Sequence, residues 1–326
     1  MTFRHFLSWK PLFYSGLLPA LKVLGPSRGD ALLGAFGRLL ASWPPRRREL
    51  FRSLTRLSRV TNANWDIPKT QSRLEGNVLR YLARDCRLDG GTEAEFFARF
   101  DVSGFEHLDN AIRQGRGVIL VGSHLGAHLS ANHWIFRRGL PMKMLIQRPQ
   151  RVSLYQSAKY DIADDSNPQS GFFLKRNLPP EEATKRIFRT RRALREGEIV
   201  YLMGDVPWTG ANTQFARFLG YRRPFQSLWA EFAARFRSPV VTVTCTHLPG
   251  GRYALSFEPG GIVEKGDESA AVARFLSRLE TKVVNHPEDA AAYLLWSCYG
   301  SPTDGQGKSR RTPTRRPINV PQSSSS

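Results

Sequence analysis

The sequence predicts an α/β fold in which a central mixed, mostly parallel sheet is covered by helices. Three features point to it: short, continuously apolar runs rich in β-branched residues, helical stretches between most of them, and an N-terminal region of amphipathic helices. A strand buried on both faces reads as an unbroken apolar run, and alternation of such runs with helices is the pattern of a helix-covered sheet.

Residues 1–60 mix Phe3, Phe6, Leu7, Trp9, Phe13, Leu17, Leu18, Leu32, Leu33, Phe36, Leu39 and Leu40 with eleven Lys or Arg, against only Asp30 and Glu49. Helices of this composition either lie in a membrane interface, apolar face among acyl chains and cations among headgroups, or pack on their own core. The best apolar run, Pro11 to Leu21, is broken by Pro19 and closed by Lys22, short of the roughly 20 residues that span a bilayer. It lacks the small-residue cleavage site of a signal peptide. The expected division is 1–44 for the interfacial helices, 45–300 for the α/β domain and 301–326 for a disordered basic tail with five basic residues against Asp304.

Residues 71–100 are expected to be helical, and a further helix is expected to stop at Gln114-Gly115-Arg116-Gly117. Strands are then expected at Val118 to Val121, Met144 to Ile146, Ile199 to Met203, Val240 to Thr244 and Tyr253 to Phe257. Helices are expected at Leu129 to Arg138, Pro180 to Arg195 and Ser227 to Arg237, and the last two strands form a hairpin around Pro249-Gly250-Gly251.

The formal charge of +20 calls for an anionic partner: a membrane surface, an acidic protein or nucleic acid. Cys86, Cys245 and Cys298 are odd in number and widely spaced, with no Cys-x-x-Cys pair. That suggests neither a disulfide framework nor a thiolate zinc site, and the simplest compartment is a reducing cytosolic face.

Functional groups in open α/β sheets gather beyond the carboxyl ends of strands. Two such ends carry polar residues straight after apolar runs, His124 and Asp205, which share one rim if both strands are parallel members of the sheet. On spacing alone, a histidine that merely satisfies backbone groups competes with a catalytic one.

The segment Gly115-Arg116-Gly117-Val118-Ile119-Leu120-Val121-Gly122-Ser123-His124-Leu125-Gly126 resembles the one that presents the catalytic histidine in the lipid A (lauroyl) acyltransferases. Later pieces follow in that family's order: Leu194 to Asp205 as a second strand ending in an acid, Phe218-Leu219-Gly220 as its Phe-Phe-Gly turn, Ser238-Pro239-Val240-Val241, and His286-Pro287-Glu288 with Trp296. The likeness covers roughly residues 45–298. It implies a glycerolipid acyltransferase-like fold and a peripheral or monotopic enzyme on the cytosolic face of the inner membrane. His124 would be the general base on an acceptor hydroxyl of a membrane lipid or glycolipid such as a lipid A precursor. The donor thioester would be acyl carrier protein or acyl-CoA, and no cofactor is implied. Backbone N–H groups at the start of the helix after Gly126 would stabilise the oxyanion. The same resemblance places Gly126, Phe218 and Gly220 with the substrate.

The family pattern sets Asp or Glu five positions after the histidine, and here that position is Leu129. Neutralising the corresponding carboxylate in a serine protease triad costs about 10⁴-fold in rate. Three readings stay open: Asp205 or another rim acid supplies the charge, a second histidine helps, or the chain is a weak or inactive lipid-binding relative.

His124, His128 and His133 also raise a metal site, disfavoured because no His-Glu-x-x-His pattern is present. Arg148 and Arg176 are candidate grips for a lipid phosphate or for phosphopantetheine, with a solvated cation as the alternative for each. The run Lys185, Arg186, Arg189, Arg191, Arg192 and Arg195 either docks an acidic carrier protein or faces water. Nucleic-acid binding is disfavoured because the basic residues form no known recognition module and the apolar N-terminal face would be left unexplained.

Overall fold

The computed structural model describes residues 12–88, 92–145, 180–210, 212–296 and 299. Phe3, Phe6, Leu7, Trp9, Arg148, Arg176 and the 301–326 tail lie outside the described residues.

A π-type turn, Leu12–Leu17, leads into α1 (Leu18–Val23), followed by α2 (Pro26–Ser42), α3 (Pro44–Val60) and α4 (Ile67–Leu82). All four of these helices carry proline in the first turn, and at the fresh starts of α2, α3 and α4 its missing N–H costs no hydrogen bond. The Asp66 side chain caps α4 by accepting from the Lys69 N–H at 3.1 Å. Phe13, Leu18, Leu21, Leu33 and Leu40 form a core with Leu79 of α4 and with Ala83, which caps its C-terminus. α2 crosses α4 closely enough that a Cβ on Gly37 would stand 2.5 Å from the Gly76 nitrogen. On the outside, Val23, Leu39, Trp43 and Phe51 are exposed. The region therefore has a packed inner face and an outer one on which apolar and basic residues are exposed together.

The stretch expected to be helical to residue 100 divides into α4, α5 (Arg84–Leu88) and α6 (Glu93–Phe97), and β1 (Phe100–Ser103) has begun by its end. A capping box between Thr92 and Glu95 starts α6. β1 buries only its first residue, so it carries no apolar run that would announce a strand. Next come α7 (Phe105–Arg113), β2 (Val118–Gly122), α8 (His128–Arg137) and β3 (Met142–Met144). β3 begins two residues before the expected run; Leu145 still donates its N–H to the Tyr201 carbonyl, and Ile146 lies outside the described residues. After α9 (Pro180–Arg195) and β4 (Ile199–Met203), an antiparallel pair, β5 (Thr213–Phe218) and β6 (Tyr221–Gln226), stands apart as a two-stranded sheet. The chain continues through α10 (Leu228–Phe236), β7 (Val240–Leu248), β8 (Arg252–Gly261), α11 (Glu268–Asn285) and α12 (Ala291–Leu295).

The main sheet has the order β1-β8-β7-β2-β4-β3, and every neighbouring pair in it is parallel except the β7–β8 hairpin. β2 is buried at all five positions. Ile119 and Val121 face a core with Val200, Leu202, Trp229, Phe275 and Leu279. Val118 and Leu120 face the opposite core with Tyr201, Val243, Trp134 and Ile135. Helices cover both faces, as the unbroken apolar runs require. Among the described residues, no helix is long and apolar enough to cross a membrane.

Candidate active site

Parallel pairing of β2 with β4 sets Gly122 opposite Met203. Each strand then runs two residues further, so His124 and Asp205 emerge side by side at the same rim, and the Gly204 N–H still bonds the Gly122 carbonyl at 2.9 Å. His124 Nδ1 lies 2.9 Å from Asp205 Oδ1, and the His124 backbone N–H donates to Asp205 Oδ2 at 2.8 Å. Tyr293 donates its hydroxyl proton to the same Oδ2 at 2.7 Å, and the Tyr299 hydroxyl donates to the Asp205 carbonyl at 2.5 Å. Asp205 is fully buried. Burial alone would raise its pKa, but the charge of His124, the side-chain and backbone hydrogen bonds from His124 and the Tyr293 hydroxyl outweigh it and hold the carboxyl below the ordinary aspartate value. An ionised Asp205 accepts from Nδ1–H and leaves Nε2 as the basic nitrogen of His124.

The His124 ring lies between two others, Trp296 at 4.9 Å and His128 at 5.4 Å between centroids, both edge-on. The residue at 128 reaches the surface in part, but its imidazole is enclosed, with Nε2 at 3.3 Å from the Tyr81 hydroxyl. Burial, then the nearby charges of His124 and Arg84, hold His128 well below the usual imidazole range. A neutral His128 carries no negative charge to stand in for the acid missing at Leu129. The carboxylate beside His124 is Asp205.

Gly126 has φ +57°, and a Cβ there would stand 2.6 Å from the Cys245 carbonyl. This conformation lets the chain after His124 cross β7 closely. The Gly126 N–H donates to the Asp289 carbonyl at 2.9 Å and the Ala127 N–H to Cys245 at 2.7 Å. Both amides are therefore engaged within the protein. The Ser130 N–H donates to the Ala127 carbonyl at 2.8 Å, which leaves the His128 and Leu129 N–H groups of the first turn of α8 without an acceptor in their own helix.

Phe218 is likewise a packing residue, fully buried with its ring 5.7 Å from Phe225 and 5.4 Å from Tyr293. Gly220 closes the β5–β6 turn at φ +80° against Val60 of α3, with Leu219 also at positive φ and its N–H bonded to Glu280. A cleft of about 310 Å³ beside this turn is lined by Arg52, Arg56, Leu57, Arg223, Leu219 and Trp296 among others, and it shares Tyr293, Trp296 and Tyr299 with the His124–Asp205 surroundings. A second hollow of about 420 Å³ near Arg47 and Phe51 has neither His124 nor Asp205 in its lining.

The exposed side of α9 carries Lys185, Ile187, Phe188, Arg189, Arg192 and Arg195. Among the described residues, no cluster of three His, Cys, Asp or Glu is placed to hold a metal. Tyr293, Tyr299 and the pair His247–Asp289 are not singled out by the sequence itself, since each acts through partners more than forty residues away.

A family model for bacterial lipid A biosynthesis acyltransferases matches residues 1–292. Comparison with curated individual proteins found no match.

Proposed function

Since the chain belongs to the bacterial lipid A biosynthesis acyltransferase family, we propose that it moves a fatty acyl chain from a thioester donor, acyl carrier protein or acyl-CoA, to a hydroxyl of a membrane glycolipid such as a lipid A precursor. The observation that carries the mechanism is the 2.9 Å contact between His124 Nδ1 and the buried carboxylate of Asp205.

His124 Nε2 takes the proton of the acceptor hydroxyl as its oxygen attacks the thioester carbonyl. Asp205 fixes the tautomer and stabilises the imidazolium that forms. The tetrahedral intermediate collapses to the new ester, and the departing thiolate recovers the proton from His124. First-turn N–H groups of α8 are the candidate oxyanion donors. No covalent acyl-enzyme is required. The exposed apolar residues of α1 to α3, with Arg47, Arg48 and Arg52 alongside, suit the cytosolic surface of an anionic inner membrane.

Leu129 favours a second reading, a weak or inactive lipid-binding relative. The test is transfer by purified protein from thioester-linked donors to a panel of membrane lipids, followed by mass spectrometry beside His124→Ala. Histidine-dependent acylation is the expected result. Lipid binding without transfer to any acceptor would establish the second reading.

A further inference from the structure

We infer that Asp289, braced by the buried His247, is a positioning residue for the loop that carries His124. The inference rests on the reading of His124 as the base. The loop from Ser123 to Ala127 hangs from two carbonyls: Cys245 on β7 takes the Ala127 N–H, and Asp289 takes the Gly126 N–H. The second anchor is on a single turn of 3-10 helix, Pro287–Asp289, so its aim depends on how that turn is held.

The Asp289 side chain supplies the hold. Its Oδ1 accepts from His247 Nδ1 at 2.7 Å and from the Asn77 amide at 3.0 Å, and its Oδ2 faces the His247 backbone N–H at 3.4 Å. The carboxylate also packs on the loop, for a Cβ placed on Gly126 would stand 3.2 Å from Asp289 Cγ and Oδ1. Asn77 bonds the Glu288 carbonyl at 3.2 Å as well, which fixes the same turn from α4.

The hold extends outward. The Asn77 carbonyl oxygen accepts from Arg80 at 2.8 Å, and Arg80 grips Asp30 of α2 with two bonds of 2.8 and 3.0 Å. Asp30 also takes the Gly250 N–H in the β7–β8 turn at 3.1 Å. A continuous, partly buried chain of polar groups thus runs from the N-terminal helices through Asp289 to the residue two places after His124. Past Asp289 the same segment delivers Tyr293 and Tyr299 to Asp205 and Trp296 to an edge-on contact with the His124 ring. Turning Asp289 shifts all of these partners together. Misplacement of a catalytic group by about 1 Å costs roughly 10²-fold in rate.

The experiment compares Asp289→Ala and Asp289→Asn in the full chain by steady-state kinetics, melting temperature and NMR of the His124 Nδ1–H proton. The asparagine oxygen still accepts from His247 and Asn77. Asp289→Ala is expected to lower kcat by about 10²-fold with donor KM within about twofold, and to broaden or lose the His124 proton; Asp289→Asn restores most of both. His247→Phe, which leaves the carboxylate with its Asn77 partner, stands in if the alanine variant does not fold, with an intermediate loss of about tenfold expected. A fall in melting temperature with kcat and the His124 proton unchanged would overturn the inference. The proton is observed without substrate, so a wild-type protein that transfers no acyl chain defeats the functional reading and leaves the positioning of His124 to be decided by the spectrum.

Discussion

Two histidine–aspartate pairs of nearly the same geometry sit in different surroundings. His124 Nδ1 meets Asp205 Oδ1 at 2.9 Å, and His247 Nδ1 meets Asp289 Oδ1 at 2.7 Å. In both, the histidine's own backbone N–H faces the second carboxylate oxygen, at 2.8 and 3.4 Å. Exposure separates them: the side chain is 19 % exposed for His124 and 4 % for His247. His247 Nε2 is buried with no hydrogen-bond partner among the described residues. Pairing with a carboxylate sets a tautomer in either place. The histidine at the strand rim is the more exposed of the two, so access rather than pairing distinguishes the proposed base from the proposed brace.

The largest effect that tests this comparison is His124→Ala, expected to lower transfer by about 10³–10⁴-fold in initial-rate assays on folded protein. Next is Leu129→Glu placed in an Asp205→Asn background. A carboxylate returned to the family position is expected to recover about tenfold of the lost rate, and no recovery would mean that the helix position no longer reaches the imidazole. Leu129→Glu alone is expected to leave the rate within about threefold of wild type or to raise it, because Asp205 already holds Nδ1. Mass-spectrometric mapping after an imidazole-acylating reagent is expected to find His124 modified and His247 protected, and equal modification would erase the distinction.

The smallest effects are in stability against pH. His128 has a depressed pKa, so the folded protein binds fewer protons there than the unfolded chain. Its contribution is present above about pH 6.5 and lost as pH falls through the folded value. Asp205 acts in the same sense in a lower window, its contribution present above about pH 3.9 and lost below. Urea unfolding of His128→Phe is expected to show a flatter loss of stability just below pH 6.5 than the wild type.

Much of the sheet was legible because its strands are buried on both faces. Val118 to Val121 and Ile199 to Met203 read directly as strands, and their parallel register brings His124 to Asp205. β1 exposes three of its four residues, and β5 alternates exposed Phe215 and Arg217 with buried Ala216 and Phe218, so neither has an apolar run. The site was half legible for a similar reason. A polar residue ending an apolar run is a local signal, whereas Asp289 and His247 are 42 residues apart and Tyr293 lies 88 residues from Asp205. Pairings of that kind are made by the fold, and the family-like His286-Pro287-Glu288 and Trp296 were their only trace in the chain.

We propose that Asp205, beyond the end of the neighbouring strand, holds the His124 imidazole in place of the acid that the family-like pattern would set at Leu129. The most direct test of this claim is the rate of acyl transfer by Asp205→Asn, measured on protein whose circular dichroism matches wild type. A loss of about 10²–10⁴-fold is expected, with acceptor KM little changed. A wild-type rate would contradict the claim and place the acid elsewhere.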